Sequence, residues 1–251
     1  GGAVAIGLGS EVGSLEAGKR ADFCAVSLAG LHAAPIHDVE AALDVIGLID
    51  LKGKLLTGDA LHCKRAMVRK SSEKGGDDCI ALKSGRNTDG RRVNVPVENV
   101  IVRDCQMKDG HGGVVIGSEV SGGARNIFVE RCRMDSPRLD RALRFKTNSV
   151  RGGTIEHVYM RDVSVGEVAE AVVTADFYYE EGDTGRFPPT LRDVQLERVT
   201  SRKSRYGLLL RGYAHTPVQD VVIKDCTFDG VAEGDRLEGV RGLTFANTRV
   251  N

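Results

Sequence analysis

Two carboxylates stand side by side at Asp77 and Asp78, an imidazole lies between glycines in Gly110-His111-Gly112-Gly113, and two cations share Arg144-Phe145-Lys146. These residue types can supply an acid, a group that modulates it and a clamp for anions. Neighbouring carboxyl groups repel when both are ionised, which favours holding one proton between them. A guanidinium and an ammonium on one face bind carboxylates as a planar fork and a point charge. Together this is equipment for cleaving a polymer of acidic sugars. His111 follows Asp77 by 34 positions and Arg144 follows His111 by 33, so a fold that repeats at about that interval gathers the three motifs on one side.

Such a repeat runs through the chain from Gly76 onward. The segments Asn99-Val-Ile-Val-Arg-Asp-Cys105, Asn126-Ile-Phe-Val-Glu-Arg-Cys132, His157-Val-Tyr-Met-Arg-Asp-Val163, Asp193-Val-Gln-Leu-Glu-Arg-Val199, Asp220-Val-Val-Ile-Lys-Asp-Cys226 and Gly242-Leu-Thr-Phe-Ala-Asn-Thr248 align as copies. Each alternates apolar and polar residues, the pattern of a strand with one buried face. Their starts differ by 27, 31, 36, 27 and 22 residues, which suits a solenoid with variable loops better than a propeller of uniform blades. A second set of strands is expected at 79–83, 114–117, 142–146, 171–175 and 206–211. Two or three short strands per turn describe an all-β fold, a parallel β-helix. Equivalent positions stack in such a coil, so Cys105, Cys132, Val163, Val199 and Cys226 are expected to form one interior ladder. Arg144 and Lys146, two apart on a strand, leave the same face.

Composition narrows the function classes. Glycine is abundant at 31 residues, aromatics are only 5% and tryptophan is absent, which favours short strands and tight turns over long helices. Lysine plus arginine equals aspartate plus glutamate at 35 each, so no global basic field draws nucleic acid and anion binding must be local. No apolar run approaches the roughly 18 residues of a membrane span. The opening Gly-Gly-Ala-Val-Ala-Ile-Gly lacks a charged leader, so no signal peptide is expected in the chain as given. The six cysteines show no CxxC pair and read as small core residues rather than disulfides, a zinc knuckle or a redox motif. His32 and His37 flank Pro35 and read as solvated loop histidines. No metal and no cofactor are expected.

The first 76 residues differ in character from the repeat. Residues 1–45 contain Gly13-Ser-Leu-Glu-Ala-Gly-Lys-Arg-Ala-Asp22 and resemble the C-terminal tail of the amidohydrolase superfamily. The metal ligands of that family belong to a barrel preceding such a tail, so no deaminase chemistry is inferred. Residues 46–76 resemble insertion-sequence transposases of the DDE kind, in which Asp59 would be one of three metal-holding carboxylates. Read from its own residues, this stretch predicts a strand over 54–57, a turn at Gly58 and a helix over 60–70 with Asp59 as N-cap. That helix would cap the solenoid with Leu61, Met67 and Val68, leaving Lys64, Arg65, Arg69 and Lys70 on a solvated face.

Residues 76–251 resemble the C-terminal part of glycoside hydrolase family 28, the polygalacturonases and related pectin hydrolases, in particular bacterial members. The carrying motifs are Gly76-Asp77-Asp78-Cys-Ile-Ala-Leu-Lys-Ser-Gly85, Gly110-His111-Gly112-Gly113, Arg144-Phe145-Lys146 and Asn148-Ser-Val-Arg-Gly-Gly153. The resemblance implies a right-handed β-helix over 77–251 and inverting cleavage of α-1,4-galacturonan. Asp77 would protonate the glycosidic oxygen, Asp78 would activate water and His111 would tune the acid. Arg144 and Lys146 would hold galacturonate carboxylates, with Tyr178 or its neighbour Tyr179 adding to substrate binding. It further implies an acidic polysaccharide as partner, a monomer, and a secreted or periplasmic location.

Two departures accompany the resemblance. Phe145 replaces the usual isoleucine between the two cations. The family's third carboxylate, in Asn-Thr-Asp one coil before the pair, would fall in the transposase-like stretch, while Asn87-Thr88-Asp89-Gly90 spells the motif only after the pair. Asp89 therefore reads as a turn residue. The chain is a mosaic of 1–45, 46–76 and a truncated solenoid at 77–251. An inactive β-helix that binds acidic polysaccharide is the alternative expectation.

Overall fold

The computed structural model describes residues 57–59, 66–69 and 78–251. The amidohydrolase-like tail with His32 and His37, and Asp77 itself, lie outside the described residues. The chain forms a right-handed parallel β-helix of three sheets. One, the site sheet, stacks β1 (Thr57–Asp59), β3 (Asp78–Lys83), β6 (Gly112–Gly117), β9 (Arg141–Lys146), β12 (Ala171–Asp176), β15 (Tyr206–Arg211) and β18 (Arg236–Glu238) in that order. The second carries the sequence repeat: β2 (Ala66–Arg69), β4 (Val97–Arg103), β7 (Ala124–Glu130), β10 (Thr154–Arg161), β13 (Thr190–Glu197), β16 (Val218–Lys224) and β19 (Val240–Ala246). A narrow third sheet joins six strands of two to four residues, from β5 (Gln106–Met107) to β20 (Arg249–Val250).

The repeat's polar positions have a conformational cause. Its first residue is left-handed in every copy, with φ of 57° at Asn99, 55° at Asn126, 56° at His157, 51° at Asp193, 52° at Asp220 and 70° at Gly242. Asn, Asp, His and Gly are the residues that tolerate this region best. The sixth residue is left-handed as well, at Asp104, Arg131, Asp162, Arg198, Asp225 and Asn247, and there the chain turns from the repeat sheet into the narrow one. The two arginines at this corner are held by their neighbours one coil away: Arg131 Nε lies 2.8 Å from Asp104 and Arg198 Nε 2.7 Å from Asp162.

The interior is a set of stacked apolar rows. Cys105, Cys132, Val163, Val199 and Cys226 are all buried, as the ladder requires, and the cysteines among them are thiols rather than disulfides. On the site sheet one row runs through Ile116, Phe145, Ala175 and Leu210 by register. The bulky Phe145, 1% exposed, is followed one coil on by the small Ala175, so the row keeps its volume by alternating sizes.

Two local expectations change. Ala66–Arg69 is a strand, not part of a helix over 60–70, and pairs in parallel with Val100 to Arg103 of β4. Asp59 ends the strand β1 rather than capping a helix, and stands in register with Lys83. A sheet edge presents a row of unpaired N–H and C=O groups, and a further strand satisfies them where a helix would not. Asp89 lies in the first turn of the helix α1 (Asn87–Val93), not in a simple turn.

Because Phe145 anchors the strand that carries Arg144 and Lys146, Phe145→Ala is expected to cost about 3–5 kcal/mol of stability. Phe145→Ile, which restores most of the volume, costs far less. Urea unfolding of the two variants checks this.

Candidate active site

Strand alternation builds the site. In β9, Phe145 points into the core while Arg144 and Lys146 leave by the outer face, where both reach Asp78 at the start of β3. Cys79 follows Asp78 inward, where its thiol donates to the Asp109 carbonyl at 3.1 Å. Burial, with the negative Asp78 and Asp109 nearby, pushes that thiol up to about 11, so it is packing and not a nucleophile.

Asp78 is 3% exposed and Lys146 6%. Lys146 Nζ donates to Asp78 Oδ2 at 2.8 Å, and Arg144 stands 3.8 Å from Oδ1, beyond a hydrogen bond. Of the buried polar atoms that lack a hydrogen-bond partner among the described residues, two lie at the centre of this site: Asp78 Oδ1, an acceptor, and Arg144 Nε, a donor. An acceptor and a donor unmet together on one sheet face offer hydrogen bonds to a polar ligand. Burial lowers the Arg144 guanidinium from its ordinary value and Arg141 adds to that, while Asp78 opposes it.

The aromatic wall is Tyr179. Its ring centroid lies 5.6 Å from the Arg144 guanidinium carbon and 5.5 Å from Lys146 Nζ. Burial and the nearby Glu180 raise its hydroxyl above the ordinary tyrosine range, which keeps it a neutral donor at pH 7. Tyr178 lies elsewhere: it packs edge-on against Tyr213 at 5.0 Å and under the Arg211 guanidinium at 4.8 Å. Adjacent residues past the end of β12 point apart, so Tyr179 and not Tyr178 stands against Arg144 and Lys146.

His111 immediately precedes Gly112, which is in register with Asp78. Gly112 is required by space, because a Cβ there would come within 2.4 Å of Val115 Cγ2 and 3.4 Å of Arg144 Cβ. The His111 ring is exposed, and its Nδ1 lies 2.9 Å from Asp140 Oδ2. A carboxylate at Nδ1 holds the proton there and leaves Nε2 to face another partner. Arg141 donates to the His111 carbonyl at 3.2 Å, lies 3.3 Å from Asp140, and pairs closely with Glu170.

Asp78, Arg144 and Lys146 are thus brought together, and His111 stands beside them on the next coil. Asp140, Arg141, Glu170 and Tyr179 were not singled out as a group by sequence reasoning. Asp140 trails His111 by 29 positions, about one coil, and that spacing was the available signal. Among the described residues no three His, Cys, Asp or Glu side chains gather as a metal would need, and no helix is long and apolar enough to cross a membrane.

Comparison with known proteins agrees with this geometry. A probable polygalacturonase of Vitis vinifera is 22% identical over 179 residues, 70% of this chain and 36% of that protein. A hyperthermoactive exopolygalacturonase from Thermotoga maritima has a solved structure that superposes with a TM-score of 0.70 at 34% identity, over 74% of this chain and 41% of that one. A family 28 exopolygalacturonase of Yersinia enterocolitica shares the fold at 20% identity with a TM-score of 0.61, over 74% of this chain and 35% of that one. A 51-residue stretch, 20% of the chain, is 35% identical to an uncharacterized protein of the dhlA 3' region of Xanthobacter autotrophicus, 17% of that protein. The chain therefore spans well under half the length of its polygalacturonase relatives. The profile of glycosyl hydrolases family 28 matches residues 57–244, taking in β1 and β2 as well as the three motifs, and the chain belongs to that family.

Proposed function

We propose that the site hydrolyses α-1,4-linked galacturonan with inversion at the anomeric carbon. The observation that carries this reading is the unmet pair at its centre, Asp78 Oδ1 and Arg144 Nε, buried on one sheet face beside Lys146. A water and a sugar carboxylate are the ligands that such an acceptor and donor would take. Family membership and the activities named for the longer relatives point the same way.

In this reading Asp77 gives its proton to the glycosidic oxygen as the bond from that oxygen to the anomeric carbon breaks. Asp78 takes a proton from the water whose oxygen bonds to the anomeric carbon from the opposite face. Solvent exchange then returns the proton to Asp77 and removes it from Asp78. Lys146, engaged with Asp78 at 2.8 Å, holds that carboxylate aimed. Arg144, too far from Asp78 for a hydrogen bond, keeps its fork for the galacturonate carboxylate, and the Tyr179 ring covers both cations. His111, with its Nδ1 proton fixed by Asp140, orients the acid. The neutral overall charge leaves recognition of the polyanion to these local cations.

Reducing-sugar release from polygalacturonate tests the reading. Asp77→Asn and Asp78→Asn are each expected to lower kcat by about 10²–10⁴-fold. Binding of polygalacturonate with no sugar release by the unmodified chain would leave only a binding module.

The two cations are expected to separate in their kinetics. Arg144→Gln raises KM about tenfold or more through the lost charged hydrogen bonds, whereas Lys146→Met acts mainly on kcat because it strands a buried carboxylate. Equal effects of both substitutions on KM alone would contradict the division of roles.

A further inference from the structure

Arg151, in the Asn148-Ser-Val-Arg-Gly-Gly153 motif, has no place in the mechanism above. It is nevertheless the largest fully buried side chain described, at 1% exposure. A buried guanidinium persists only when partners compensate its lost hydration. Its charged partners are Glu180, with Nη2 at 2.5 Å from Oε2, and Glu181, with Nη1 at 2.9 Å from Oε1, and Nη1 also donates to Asn87 Oδ1 at 3.3 Å. These glutamates directly follow Tyr179, the ring beside Arg144 and Lys146.

Asn148 grips the same segment from the other end. Its Oδ1 accepts from the backbone N–H groups of Val150 and Arg151 at 2.9 Å each, closing the turn that presents Arg151. Its Nδ2 donates to the Tyr179 carbonyl at 2.8 Å and to Glu181 Oε2 at 2.7 Å. Glu180 is held at a φ of 53°, a left-handed conformation that a glutamate adopts only when its surroundings impose it. The fork of Arg151 supplies that constraint.

From this geometry we infer that Arg151 is a positioning residue for the substrate site. It fixes Tyr179 against the two cations, and it neutralises the Glu180–Glu181 pair that would otherwise repel an anionic polymer at the mouth of the site. The inference rests on the proposed galacturonan hydrolysis. Lysine cannot reproduce the function, because a single ammonium does not span two carboxylates as a planar fork does.

The test is a double-mutant cycle on polygalacturonate hydrolysis between Arg151→Lys and Tyr179→Ala, assayed below the melting temperature of every variant. Arg151→Lys alone is expected to raise KM about tenfold with kcat within about twofold. Added to Tyr179→Ala it is expected to raise KM by less than about twofold, because the ring it positions is already gone. Additive effects, or an unchanged KM in Arg151→Lys, would overturn the inference. Should Arg151→Lys not fold, Glu180→Gln, which weakens one arm of the fork at a half-exposed residue, replaces it in the same cycle; because it also removes a negative charge, only its coupling to Tyr179→Ala is read, and additivity is the contrary result. Absence of sugar release by the unmodified chain would instead refute the hydrolase reading. In that case calorimetric binding of polygalacturonate carries the same cycle, with additivity again the contrary result.

Discussion

Coil-to-coil register is the constraint on which the rest of this structure depends. In a parallel ladder each residue lies about 4.8 Å from its equivalent in the next coil, so a position chosen in one turn restricts the position above and below it. The interior accepts this by stacking similar or complementary volumes, as in Cys105, Cys132, Val163, Val199 and Cys226, or in Ile116, Phe145, Ala175 and Leu210. On the outer face the same register brings charges separated by tens of residues into one place. Asp78 and Lys146 are 68 residues apart in sequence and 2.8 Å apart in space.

A buried ion pair by itself adds little stability, since desolvation offsets most of the attraction. The Asp78–Lys146 pair makes sense as a device for holding a carboxylate in a fixed place and direction. One oxygen of Asp78 is satisfied by lysine, and the other, buried near Arg144, has no hydrogen-bond partner among the described residues. Around it the solenoid supplies successive layers: Arg144 and Tyr179 beside the pair, Asp140 behind His111, and Arg151 behind the segment that carries Tyr179. Each layer comes from a neighbouring coil or the loop that leaves it, which is how a repetitive fold produces an asymmetric site.

Much of this was legible in the sequence because period-2 alternation and coil spacing are both long-range signals. The repeat strands and the interior ladder followed from them, as did the shared face of Arg144 and Lys146. What was not legible lay where those signals stop. Ala66–Arg69 is too short for periodicity to separate strand from helix, and its basic neighbours and the aspartate before it mimic a capped helix; the deciding factor was the open edge of β4. Tyr178 and Tyr179 follow the last residue of β12, where alternation no longer says which side chain faces the sheet. Asp140 stands just ahead of β9, and its pairing with His111 depends on the register of neighbouring coils. Each repeat copy opens on Asn, His, Asp or Gly, but the cause, a left-handed backbone at the same point of every coil, needed the structure.

In the proposed mechanism a water held by Asp78 attacks the anomeric carbon from the face opposite the bond that Asp77 protonates. Proton magnetic resonance of the sugar released from an α-linked galacturonan oligomer, recorded before mutarotation, reads this directly. Inversion makes the β-anomer appear first and the α-anomer only later. An initial α-anomer would mean that the configuration is retained, and would contradict it.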